Sequence, residues 1–82
     1  MRKLEFSRTA DGKIAVLADG KVIKGADLDL KLVKTSKRLF QWTPAMQDLL
    51  LKRVATKLAD DGFAAAEVVT IVARFKTELT DA

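Results

Sequence analysis

Cysteine, histidine and tyrosine are missing from this 82-residue chain, which also has a single tryptophan and a single proline. Without Cys there is no disulfide framework and no thiol nucleophile. Without His the commonest general base and the commonest imidazole ligand are lost, so Ser7 and Ser36 have nothing to activate them. The four glycines, Gly12, Gly20, Gly25 and Gly62, stand apart, and no glycine-rich phosphate cradle can be built from them. Only carboxylates remain as candidate acid–base groups. Asp27 and Asp29 are two apart and Asp60 and Asp61 are adjacent, but neither pair has calcium-loop spacing. The expectation is a non-enzyme with no cofactor and no metal.

Long apolar runs are missing too. No segment approaches the length that spans a bilayer, so no membrane association is expected. The opening Met1-Arg2-Lys3-Leu4-Glu5-Phe6 is basic without an apolar run behind it, unlike a signal peptide. A cytoplasmic protein is the expectation from these absences.

What is present is a chain 49% hydrophobic with a net charge of +4. That apolar share argues for a folded core rather than disorder, and the length allows one domain, residues 1–82. The charge is uneven. Residues 1–43 carry ten Lys and Arg against five acids, whereas residues 44–82 carry five against six.

The first part, residues 1–42, reads as β-rich. Leu4 and Phe6 alternate with polar neighbours, the period of a half-buried strand. Asp11-Gly12 and Asp19-Gly20 are turn signals flanking Ile14–Ala18, a run apolar on both faces, as in a strand covered on both sides. Lys21–Lys24 completes an antiparallel meander. Gly25 breaks the pattern. Leu28, Leu30 and Leu32 then alternate as in a fourth strand, with a helix as the alternative because Leu is a weak strand former. Thr35-Ser36-Lys37 reads as a loop and Arg38–Trp42 as a fifth strand, with Phe40 and Trp42 on one face.

Residues 43–82 read as two helices. Thr43 is an N-cap and Pro44 suits the first helical position. Met46, Leu50, Leu51, Val54 and Leu58 make an apolar stripe, and Leu49 falls among the polar positions. Gly62 ends that helix or Asp61 caps the next. From Phe63 to Leu79, Ala64, Val68, Ile71, Val72, Phe75 and Leu79 share a face. The expected fold is α+β: an antiparallel meander of three to five strands, then an αα-hairpin packed on one face.

Trp42-Thr43-Pro44 followed by Leu49-Leu50-Leu51 resembles the opening helix of Myb/SANT-like DNA-binding domains. The likeness covers residues 42–51. The later tryptophans of such domains are absent, and no functional residue is carried across. A helix-turn-helix reader at Leu58–Ile71 is rejected. Its base-contacting positions would be Ala64, Ala65, Ala66 and Val69, which offer no donors or acceptors.

Two functions of different class follow. In the first, a small nucleic-acid-binding or regulatory protein uses a basic surface at residues 31–42. There Lys31, Lys34, Lys37 and Arg38 neutralise phosphates, and Phe40 or Trp42 stacks on a base. In the second, a protein-interaction module (adaptor, assembly factor or inhibitor of a larger complex) makes contacts through Leu49, Lys52 and Arg53. Trp42 before the cap also fits a staple packed on its own helix. A homodimer through Leu49, or through the sheet face of Ala15 and Leu17, would cover the apolar surplus.

Overall fold

A computed structural model describes all 82 residues. The chain folds as β1 (Leu4–Arg8), β2 (Lys13–Ala18), β3 (Lys21–Asp29), α1 (Leu30–Leu39), α2 (Pro44–Asp60) and α3 (Ala65–Asp81). The strands form an antiparallel sheet in the order β1-β2-β3, and α2 and α3 form the expected hairpin. None of the helices is long and apolar enough to cross a membrane.

Asp19 and Gly20 both have positive φ, 52° and 80°, the geometry of a two-residue hairpin turn whose twist matches the strands it joins. The register pairs Phe6 with Val16 and Ile14 with Leu28, which gathers their side chains on one face of the sheet. Against that face lie Phe75, Ile71 and Leu79 of α3, all fully buried, with Leu51 and Leu58 of α2 and Leu30 and Val33 of α1. Phe6 meets the Phe75 ring edge-on, centroids 6.3 Å apart. The opposite face carries Ala15, Leu17 and Val22, and it is not covered on both sides as the run Ile14–Ala18 implied. Leu17 is half-buried and Val22 is exposed; Ala15 is shielded at the centre of its own sheet.

The expected fourth and fifth strands do not form. Gly25 is not a strand end: it sits at φ +85° inside an irregularity where Ile23–Ala26 stand opposite Val16 alone, and pairing resumes at Asp27. A side chain at that φ would be strained, which is why glycine holds the position. The Gly25 carbonyl is also occupied, accepting from the Lys57 ammonium. β3 therefore runs to Asp29, whose carboxylate accepts from the Leu32 N–H at 2.9 Å and starts a helix. Such a cap is worth about 1 kcal/mol. Lys37 and Arg38 sit in the last turn, where cations suit the helix dipole. Residues 30–39 are thus helix, the alternative reading, and the Thr35-Ser36-Lys37 loop and Arg38–Trp42 strand are corrected with it.

The N-terminal arm is clasped to α3 on the covered side. Arg2 makes a bidentate ion pair with Glu67, Nε–Oε2 2.9 Å and Nη2–Oε1 3.1 Å, and its guanidinium lies 5.0 Å from the Phe63 ring centroid. Glu67 also accepts the Ala64 N–H at 2.9 Å, satisfying an orphan donor at the start of α3. At the other end of β1, Arg8 and Arg74 share the buried Glu78.

The hydrogen bond from Arg2, and then that from Ala64, hold the Glu67 carboxyl at about 2, well below its ordinary 4.5. A carboxylate depressed in the folded state adds stability that is complete above its unfolded value and is lost as pH falls through its folded one. Urea midpoints measured from pH 7 to pH 2 are expected to fall between about 4.5 and 2. Glu67→Gln is expected to be the less stable protein at pH 7, with the difference closing toward pH 2. A constant gap across the series would show that the clasp does not depend on charge.

Candidate functional site

Between α1 and α2 the surface opens into a concavity of about 330 Å³ lined by Leu32, Val33, Trp42, Met46, Leu49 and Leu50, with Ser36 and Arg53 at its margin. Helical spacing explains the lining. On α2, Met46, Leu49, Leu50 and Arg53 recur at i, i+3, i+4 and i+7 and so share one side, while Leu51 and Leu58 point to the core. On α1, Leu30 and Val33 face inward and Leu32 lies on the outer flank with Leu39. Leu32 is 62% exposed, Met46 42% and Leu49 52%. Large apolar side chains left open together, not singly, are the unusual feature.

Trp42 is one of the residues lining this groove. It is half-buried, and its indole N–H donates to Gln47 Oε1 at 3.1 Å. The Lys37 ammonium lies 5.7 Å from the ring centroid and donates to the carbonyls of Leu79 and Ala82 at the end of α3. Trp42 therefore links α1, the loop and α2 rather than standing free as a stacking platform.

The six residues expected to contact nucleic acid consequently divide. Lys37 and Trp42 are held in internal contacts. Lys31, Lys34 and Arg38 are exposed and form a ridge along one side of α1, spaced i, i+3 and i+7, with no acid within ion-pair distance. Phe40, just past the helix end, is 65% exposed. Lys31 and Lys34 also border a polar depression of about 310 Å³ with Arg8 and Asp11. Asp11 accepts from the Thr9 hydroxyl, which pulls its carboxyl below the ordinary range.

Of the residues expected at a protein contact, Leu49 and Arg53 line the groove. Lys52 lies on a neighbouring polar patch with Thr56, Lys57 and Asp60, which Arg53 also borders. Sequence reasoning missed Leu32 and assigned Met46 and Leu50 to the core. Once residues 30–39 are written as a helix, Leu32 and Leu39 at i, i+7 opposite Leu30 and Val33 signal a second apolar side. No group of three or more acidic side chains converges where it could hold a metal ion. No family model, curated protein or solved structure matches this chain.

Proposed function

We propose that this chain is a non-enzymatic protein-interaction module that docks a partner through the groove between α1 and α2. The observation that carries this reading is the cluster of open apolar side chains, Leu32, Met46 and Leu49, around a concave surface beside the half-buried Trp42. Apolar side chains converging on a concavity gain by burial against a partner, roughly 25 cal/mol for each Å² removed from water. A nucleic acid gains little from such a lining, because phosphates and base edges need donors and cations.

A photo-crosslinker placed at Leu49 in nuclease-treated host extract tests this, with one at Ala73, on the outer side of α3, as the control. The expected result is a discrete protein adduct at Leu49 that is absent at Ala73 and is lost when Leu32→Asp is added. Equal labelling at both sites would defeat the reading.

A second reading keeps the nucleic-acid function, and the observation favouring it is the unpaired ridge of Lys31, Lys34 and Arg38 ending at the exposed Phe40. If it holds, changing the three cations to Gln weakens binding to all sequences alike. It also flattens the log–log salt slope by about one unit for each lost phosphate contact. Phe40→Ala would cost about 1–3 kcal/mol if the ring stacks on a base. Absence of retention on DNA or RNA at low salt ends this reading.

A further inference from the structure

Resting on the interaction reading, we infer that the groove's occupant is an acidic amphipathic helix of another protein. Its apolar side chains would seat between α1 and α2, and its carboxylates would meet Arg53. Three observations converge on this occupant. The first is shape: two helices wall the groove, and an apolar trough of this kind receives a third helix through anchors at i, i+4 and i+7. The volume, about 330 Å³, accommodates anchor side chains, and it lies at the lower end of the roughly 300–1,000 Å³ of ligand pockets.

The second observation is charge. Arg53 is the one charged side chain at the groove margin, and it has no ion-pair partner within the chain. Lys52 lies on the neighbouring polar patch rather than in the groove, and Arg38 belongs to the ridge on the other side of α1, so the groove's own charge is that of Arg53. None of the carboxylates in its neighbourhood forms an ion pair with Arg53. Asp29 caps α1, Asp48 lies on the far side of α2 from Arg53, and Asp60, on the same side as Arg53, is two turns away at the polar patch beyond the groove. An unpaired cation beside an apolar trough favours a partner with acids flanking its anchors, and it opposes a second copy presenting the same Arg53. The third observation is adaptability: Met46 is exposed and unbranched, so it can reshape to fit an incoming side chain.

Trp42 is the only tryptophan and lines the groove, so its fluorescence reports occupancy directly. The probes are two designed helical peptides of ~18 residues, five turns long. Both carry the same leucines at i, i+4 and i+7; one has Glu at the flanking positions and the other Lys. The Glu peptide is expected to shift Trp42 emission saturably and to bind about tenfold more tightly than the Lys peptide, with the gap narrowing as salt rises. Arg53→Glu is expected to invert the preference. Leu49→Asp, at an exposed position, is expected to abolish the response with the thermal midpoint unchanged.

Equal binding of the two peptides, or a preference for Lys, overturns the acidic partner while leaving a protein-docking groove in place. A Trp42 shift that grows with protein concentration alone assigns the groove to a second copy and overturns the inference. No response to either peptide also overturns it. The crosslinking experiment at Leu49 then decides separately whether the groove docks any protein.

Discussion

Phe75→Ala is expected to remove about 3–5 kcal/mol of folding stability, the usual range for truncating a buried aromatic. The ring is fully buried at the middle of α3, meets Phe6 of β1 edge-on, and closes the core between sheet and helices. No neighbouring side chain is free to fill the space, because Ile71, Leu79, Ile14 and Val16 are themselves fully buried. A domain this small has a stability near the lower end of roughly 5–15 kcal/mol. The variant should therefore populate the unfolded state near room temperature. Urea denaturation followed by far-UV circular dichroism measures this. A midpoint close to that of the wild type would mean that the sheet is not anchored through Phe75.

The second large effect separates two adjacent leucines on α2. Leu51 is buried in the core, whereas Leu50 is half-buried and lines the groove. Leu51→Ala is expected to cost about 2–5 kcal/mol through lost transfer energy and the cavity left behind. Leu50→Ala, which starts from partial exposure, is expected to cost about 1–2 kcal/mol. It should weaken the groove's affinity for a helical peptide more than it lowers the midpoint. Thermal midpoints of both variants together with Trp42 titrations test the assignment. Equal destabilisation would place both residues in the core, and a larger loss for Leu50 would mean that α2 is rotated from its observed orientation.

That pair also marks where sequence reading stops. A stripe at helical spacing identifies Met46, Leu50, Leu51, Val54 and Leu58 as one broad apolar face. It does not say which edge of the stripe the sheet covers. Packing against β3 and α3 buries Leu51 and Leu58 and leaves Met46 at the surface beside Leu49. The odd placement of Leu49 among polar residues was legible in the sequence. Its meaning depended on Leu32, whose position required α1 to be a helix.

The sequence by itself determined the local structure wherever a single short-range preference was unopposed. The Asp19-Gly20 turn, the alternation through Leu4 and Phe6, and the Thr43-Pro44 helix start each rest on backbone sterics or a cap that acts within a few residues. Missing residue types likewise excluded thiol and imidazole chemistry outright. The tertiary structure decided residues 25–42, where local preferences conflict. There Leu28, Leu30 and Leu32 alternate like a strand, yet Asp29 can cap a helix, and only long-range contacts break the tie. Strand pairing of Asp27 and Asp29 with β2 holds β3 extended up to the cap. The Gly12 carbonyl, accepting from Leu30 and Lys31, then pins the start of α1 to the sheet. Tertiary packing also separated the candidate cations, tying Lys37 to the end of α3 and leaving Lys31, Lys34 and Arg38 in solvent. Those partners lie more than forty residues away in sequence for Lys37, and no periodicity in residues 31–42 encodes them.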